Sequence, residues 1–410
     1  MNDYAPLLGI LVALLVGLAA GKAWERYKLR NGRWLDRRKL RDSPHFLQGL
    51  NFLAANQVDL ALEEISQAAA VNDRALEIHI ILGNLYREKG QVGRAVQIHQ
   101  QLLQRPRLSR LEQSSVLLSL GLDYKQGGFV DRAIEAFQEV IRLEPGNIQA
   151  LFNLEKLHED QHQWSQAYEV RQRLAALAPD GQRRQHQTIL AFLENELGLE
   201  ALKAGNPEEA ARRFGAAIEL DASVAPAYLN LGDVTLGSEG AARAVEVWER
   251  LLDVAPDRAF LALDRLAGAY VSLGQPDRFE ALCRRIISSS AHDWRARLAL
   301  SRHLSARGAL REALAVVLEA LAINPHAITL HEAAWRILSD LHLDAALVGR
   351  YVEVSRDAVF YHDPHVCLRC HYRSTELLWQ CPHCHEWNSF VEERLTPARE
   401  DPDAPSPRVT

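Results

Sequence analysis

Between about Pro44 and Asp357 the chain alternates apolar faces with polar ones at helical spacing, and the same arrangement of small and large residues returns along it. The clearest copy reads Leu120-Gly121-x2-Tyr124, then Ala133-x3-Phe137, then Pro145. Leu82-Gly83-x2-Tyr86 leads to Ala95 and Pro106, Leu197-Gly198 to Ala210-x3-Phe214, and Leu231-Gly232 to Ala244-x3-Trp248 and Pro256. Earlier, Gly49 and Phe52 precede Ala61-x3-Ile65. This is the pattern of two antiparallel helices in contact: a small residue at the crossing lets the backbones approach, and a bulky one a turn away fills the adjacent hole. Ala61, Ala95, Ala133 and Ala167 lie 34, 38 and 34 residues apart. Pro145, Pro179, Pro256 and Pro325 each fall 12 residues after an alanine, where proline ends the second helix and begins the next pair.

A period near thirty-four residues points to tetratricopeptide hairpins, hence an all-α helical solenoid over 44–356. Several units depart from the pattern. Ala167 and Ala210 are 43 residues apart, and the excess contains the polar stretch Pro179 to Gln187. That stretch predicts a longer connection or a helix extension, and a place where the array divides into two blocks. Phe279 stands where alanine is expected and His99 where an aromatic is expected, so those units read as degenerate. The helices around Leu330 to Val354 lack the crossing glycine and read as a pair that caps the array. Cys283, spaced with Phe279, Leu282 and Ile286, reads as a core residue.

The two ends differ from the middle. Tyr4 to Gly21 carries no charge, and Ala23 and Trp24 extend the run if Lys22 snorkels, which predicts a transmembrane helix within 1–24. Only Asp3 precedes the apolar run and the cations follow it, the reverse of a cleaved signal peptide. Lys22, Arg26, Lys28, Arg30, Arg33, Arg37, Arg38, Lys39 and Arg41 crowd the following segment, 25–43, so the bulk of the chain is expected on the cytoplasmic side. Ala13-x3-Gly17-x3-Gly21 places small residues on one face of that helix, as pairing with a partner helix in lipid requires. The last residues, 396–410, are rich in proline and charge and read as disordered.

Near the C-terminus, Cys367-Leu-Arg-Cys370 and Cys381-Pro-His-Cys384 form two Cys-x2-Cys pairs ten residues apart. Four thiolates fill a tetrahedral Zn2+ shell and leave no position for water or substrate, so the site is structural. Two disulfides are the alternative; a reducing cytoplasm decides for metal. Iron is the chemical rival, because the same sulfur cage accepts it. His365, His371, His383 and His385 are spare ligands that four cysteines make unnecessary. The segment 357–395 is too short for a large core, so metal binding would supply most of its folding free energy, with Tyr372, Trp379 and Trp387 as its apolar residues and its contact with the last repeat helices.

The repeats carry no phosphate loop, Gly-x-Ser-x-Gly elbow or His-Glu-x-x-His pair, which points away from an enzyme. His79, His99, His158, His162 and His186 are scattered over different units and read as ordinary core or surface residues. A formal net charge of −6 argues against nucleic-acid binding. Residues one turn from the packing glycines, Asn84, Arg87, Lys125, Asn153 and Lys156, are the candidates for holding a peptide carboxylate or acidic motif.

With its anchor, basic flank, tetratricopeptide units and a ribbon reading Val366-Cys367-Leu-Arg-Cys370 and Leu378-Trp379-Gln-Cys381-Pro-His-Cys384 with Trp387, the chain resembles the lipopolysaccharide assembly protein B family over nearly its whole length. The resemblance implies Cys367, Cys370, Cys381 and Cys384 as ligands of a rubredoxin-like zinc ribbon. It also implies a non-enzymatic adaptor in the cell inner membrane. Members act with the membrane-bound AAA+ protease FtsH on the deacetylase that commits precursor to lipid A; a scaffold gathering lipopolysaccharide-synthesis proteins is the alternative. A homo-oligomer is left open. His371 departs from the glycine usual after the second cysteine, which predicts a slightly strained knuckle that still binds metal.

Overall fold

The computed structural model describes residues 44–356 and 364–393. The anchor expected over 1–24, the basic segment 25–43 and the tail 396–410 lie outside the described residues. Among the described residues no helix is long and apolar enough to cross a membrane.

Two compact units divide between Gln161 and His162. The first contains α1 (Pro44–Ala54), α2 (Val58–Val71), α3 (Leu76–Glu88), α4 (Val92–Leu103), α5 (Arg110–Gln126), α6 (Val130–Leu143) and α7 (Ile148–Asp160). The second begins with α8 (Trp164–Leu177), α9 (Arg183–Lys203), α10 (Pro207–Leu220), α11 (Ala225–Ser238), α12 (Ala241–Val254) and α13 (Phe260–Ser272). It continues with α14 (Pro276–Ser289), α15 (Trp294–Ala306), α16 (Leu310–Ile323), α17 (Ile328–Asp340) and α18 (Ala345–Ser355), and ends in strands β1 (His365–Cys367), β2 (Arg373–Ser374) and β3 (Phe390–Glu392). Each unit is a run of tetratricopeptide hairpins, and the second carries the ribbon.

The polar stretch Pro179 to Gln187 is therefore not where the array divides. It forms a short 3-10 turn, Asp180–Gln182, and then the first turns of α9, which reaches 21 residues. Beyond Gly181 the stretch contains only arginine, glutamine and histidine, and the two dominant types continue a solvated helix at little cost.

The period of the array is set in its turns. Within each hairpin the chain reverses through a left-handed residue: Asn56, Gly90, Gly128, Gly205, Gly240, Gly274 and Gly308, with φ between 57° and 94°. At Gly128 the turn closes with the Phe129 N–H donating to the Tyr124 carbonyl at 2.9 Å, a bond that uses one of the carbonyls left over at the helix end. His162 and His342 hold the same conformation at the start of the second unit and between α17 and α18. A histidine expected to be unremarkable, His162, is thus a turn former, and its ring meets Trp164 edge-on at 5.2 Å.

The small-and-large pairs meet as the spacing predicted. A Cβ placed on Gly121 would stand 2.7 Å from Phe137 Cε1, so only glycine admits that ring. At Gly232 the indole of Trp248 comes closer still, and its Nε1 donates to the Leu229 carbonyl at 3.3 Å. The two degenerate units turn out to be well packed. His99 is fully buried and fills the hole under Gly83, with its Nδ1 2.5 Å from Asp123 Oδ2, while Arg87 Nη1 donates to Asp123 Oδ1 at 2.8 Å. An imidazole replaces a ring of similar size, and the buried carboxylate that would otherwise be costly has two partners. Phe279 and Cys283 are both fully buried, the large and small residues having exchanged places along α14. Burial pushes the Cys283 thiol up to about 12, with Asp293 and Glu280 adding to the effect.

The last pair, α17 and α18, ends the described repeats, with Leu330, Ala334, Ile337 and Leu338 of α17 buried. No residue of α18 is buried, and Leu343 and Val352 stand 65% and 54% exposed. The exposed residues of α18 mix Ala345, Ala346 and Val352 with Arg350 and Glu353, so the outer face is only partly polar.

Gly232→Ala should destabilise the second unit by about 1–3 kcal/mol through overpacking against Trp248. Gly215→Ala, in α10 with nothing within 4 Å of the added methyl, should stabilise it by about 0.5–1 kcal/mol. Thermal unfolding of the two variants beside the parent chain checks both signs.

Candidate metal centre

The ribbon is a three-stranded antiparallel sheet in the order β2-β1-β3, with Val366 opposite Arg373 on one side and Val391 on the other. Each Cys-x2-Cys pair closes a knuckle of the same construction. The His371 N–H donates to the Cys367 carbonyl and the His385 N–H to the Cys381 carbonyl, both at 2.9 Å. Next, the Cys367 N–H donates to Tyr372 and the Cys381 N–H to Glu386, again at 2.9 Å. His371 and His385 adopt φ of 59° and 57° to make these turns, so the strain expected at His371 is present in both knuckles.

The four sulfurs of Cys367, Cys370, Cys381 and Cys384 all lie within 4.8 Å of one another. Cys367 Sγ is 3.6 Å from Cys384 Sγ, and Cys370 Sγ is 3.6 Å from Cys381 Sγ. Tetrahedral thiolates at a metal–sulfur distance of about 2.3 Å stand about 3.8 Å apart, so the cage fits a Zn2+ or Fe ion, while a disulfide would bring its sulfurs to about 2.05 Å. None of the four is in a disulfide. His365, His371, His383 and His385 stay out of the cluster. His383 instead stacks over Tyr372 at 6.5 Å, and His371 and His385 serve the turns.

The four thiols differ in how readily they ionise. Burial opposes ionisation of Cys367, but the Ser389 hydroxyl, 3.2 Å from Sγ, and the backbone N–H groups of Cys370 and Arg369 outweigh it and bring the thiol down to about 6. Burial, reinforced by the neighbouring sulfurs, pushes Cys384 up to about 12. Ser389 was not singled out in the sequence; it lies one residue before β3, where its carbonyl also accepts from the Leu368 N–H at 2.8 Å.

The ribbon's own core is Cys367, Cys381 and Phe390, with Leu377 and Leu378 packed beside them. Tyr372 is largely exposed and touches Phe390 edge-on at 6.5 Å. Trp379 and Trp387 do not belong to that core. Both face the repeats, where Trp387 is buried in the core of the second unit, stacked on Phe192 at 5.3 Å and edge-on to Trp164 at 6.3 Å. Trp379 lies 6.2 Å from Phe192. The docking partners are therefore α8 and α9, the first helices of the unit, and not the last repeat helices. So small a fold around a metal cage has no interior for two indoles, and they are buried where a larger core is available.

Two arginines with no sequence signature complete the dock. Arg258 Nη2 donates to the Phe390 carbonyl at 3.0 Å and its guanidinium lies 5.9 Å from the Trp379 ring. Arg295 forms an ion pair with Glu392 while stacked over Phe260 at 4.3 Å and Trp294 at 4.6 Å.

The candidate partner residues of the first unit divide on inspection. Arg87 is spent on Asp123, and Lys156 Nζ pairs with Glu159 Oε2 at 2.7 Å, so neither presents a free charge. Asn153 accepts from Lys125 Nζ at 3.0 Å and donates to the Gln149 carbonyl at 2.8 Å. Asn84 and Lys125 are left as the less committed pair.

Trp387→Ala should cost the second unit about 3–5 kcal/mol, speed amide exchange around Phe192 and lower the metal retained after dialysis against a mild chelator. Hydrogen exchange with elemental analysis separates the two effects. In a second measurement, native metal-loaded protein should show no fast-reacting thiol; a strong chelator should release four, with Cys283 reacting only on unfolding.

Comparison with known proteins agrees with this order of parts. Residues 365–392 match the family model for the rubredoxin metal binding domain, and residues 46–107 and 195–238 match that for the tetratricopeptide repeat. Lipopolysaccharide assembly protein B of Escherichia coli (strain K12) is 28% identical over 391 residues, covering 93% of this chain and 97% of the relative. Its namesake in Haemophilus influenzae is 26% identical over 397 residues, with the same coverage of both chains. Among solved structures, that of Naa15/Naa10 bound to HypK-THB aligns over 77% of this chain and 51% of its own at 16% identity, with a TM-score of 0.43. From its first repeat helices to its four-cysteine ribbon, the chain thus resembles lipopolysaccharide assembly protein B.

Proposed function

We propose that the chain is a non-enzymatic regulator of lipopolysaccharide biosynthesis, held in the cell inner membrane by residues 1–24 with its repeats and ribbon in the cytoplasm. The observation that carries this reading is the match to proteins named for lipopolysaccharide assembly over 93% of the chain, ribbon included. Repeats of this kind hold other proteins and do not react with them. A tether confines the array to two dimensions and raises the effective concentration of any client beside a membrane protease of the FtsH type. In that scheme the chain promotes degradation of the deacetylase that commits precursor to lipid A. Cys367, Cys370, Cys381 and Cys384 would hold Zn2+, whose contribution is to fix the ribbon's fold.

The word assembly in the relatives' names favours one second reading, a scaffold that gathers the synthesis enzymes without directing proteolysis. Depleting the chain should lengthen the deacetylase half-life under the first reading and leave it unchanged under the second. Cys381→Ser should abolish regulation while the helical array stays largely folded by circular dichroism; a fully active variant would refute a required metal site. Purified protein should be colourless, as zinc thiolates are, and a red preparation would assign iron.

A further inference from the structure

We propose that the loop between α4 and α5 of the N-terminal unit, with Val71 and Ile148 beside it, rests on an anionic lipid surface. This deepens the reading of the chain as tethered to a membrane and rests on it.

Each hairpin runs out and back, so α1, α3, α5 and α7 begin at the edge of the unit where α2, α4 and α6 end. The left-handed turns at Asn56, Gly90 and Gly128 lie at the opposite edge. Because α1 begins at Pro44, residues 1–43, with their uncharged run and nine cations, join the unit at the first edge. Three loops border it: 72–75, 104–109 and 144–147. The middle one is the longest, six residues against four, and it is bonded to both neighbours. Arg105 Nη2 donates to the Asp73 carbonyl at 2.8 Å, and Arg110 Nη2 to the Arg142 carbonyl at 3.3 Å.

Val71, the last residue of α2, and Leu111, in the first turn of α5, are the two most exposed large apolar side chains among the described residues, at 79% and 69%. Ile148, which opens α7, is 60% exposed. One such residue is ordinary on a surface; three on one border with arginines between them make an amphipathic strip. The acids of the border lie in its outer parts. Asp73 and Glu77 are exposed beside Arg74, Glu139 accepts from Arg142 Nε at 2.7 Å, and Glu144 accepts from Asn147 Nδ2 at 3.0 Å. The middle loop and the turn after it hold Arg105, Arg107 and Arg110 against Glu112 alone, whose carboxylate turns back to accept from the Ser109 N–H at 2.7 Å. Positive charge is therefore concentrated there, and Arg107 is held at φ 67°, a backbone strain that arginine rarely carries. Arginine beside exposed aliphatic side chains suits a lipid interface, where the guanidinium meets phosphate and the apolar group enters the acyl boundary. A nucleic-acid backbone needs a longer row of cations and has no use for Leu111. Weak contact is enough, because a tether joined at this edge already holds the loop near the bilayer.

The test reads amide exchange of the full-length, metal-loaded chain in nanodiscs of phosphatidylcholine, with and without phosphatidylglycerol. The anionic lipid should slow exchange over residues 104–112 about ten-fold, while the turns at Asn56, Gly90 and Gly128 keep their rates. Raised salt should undo the slowing. Arg107→Asn combined with Leu111→Ser should also undo it, without lowering the melting temperature, because both side chains are exposed and asparagine accepts a positive φ. Equal rates in the two discs, slowing at the reversal turns instead, or slowing that survives the double variant would overturn the proposal. So would slowing that appears in detergent and grows with protein concentration, the sign of a second copy on this edge. A chain that resists alkaline extraction from membranes yet shows no slowing loses this contact alone, and the proposed function stands; a chain that is extracted loses the anchor on which both rest.

Discussion

The stacking of Trp387 on Phe192 and Trp164 is the contact on which the C-terminal half of the molecule depends. The ribbon has two buried cysteines and one fully buried phenylalanine for a core, and its strands are two or three residues long. Neither the sheet nor the sulfur cage encloses enough apolar surface to stand alone. The repeats, for their part, present Phe192 on a helix lengthened beyond the ordinary hairpin. Joining the two gives one apolar core that begins in α8 and includes an indole from the far end of the sequence. Arg258 and Arg295 then fix the orientation, one through a strand carbonyl and the other through Glu392.

Much of the fold was legible because the repeat imposes the same steric problem many times. Wherever two helices cross, a small residue must face a large one, and a left-handed turn must follow the first helix. These demands leave glycine, alanine and aromatic residues at fixed offsets, so the hairpins stood out in the chain. The four cysteines were legible for a similar reason, since a knuckle holds its two ligands only a few residues apart.

What was not legible depends on partners far away in sequence. His99 looked like a lost aromatic because its compensating Asp123 comes from the next hairpin, and nothing local to His99 announces an ionic contact. Phe279 looked misplaced until Cys283 was seen to yield the space. Trp379 and Trp387 were assigned inward because aromatic residues in a small fold normally are; their true destination is set by Phe192, nearly two hundred positions earlier. Arg258 and Arg295 carried no signal at all, being two arginines among many, distinguished only by what docks against them. The division of the array escaped notice for the opposite reason: the polar stretch that seemed to interrupt it merely lengthens a helix.

A consequence follows from the shared core. Because Trp387 sits three residues beyond the last cysteine and counts among the buried residues of the helices, occupancy of the cage and order in α8 and α9 are thermodynamically linked, and such linkage runs in both directions. The grip on the ion is then a property of the folded helices as much as of four sulfur atoms. A protein that pries the indole away would loosen a bound ion, and loss of the metal would be felt first as slackness in a helical surface that contains no ligand of its own.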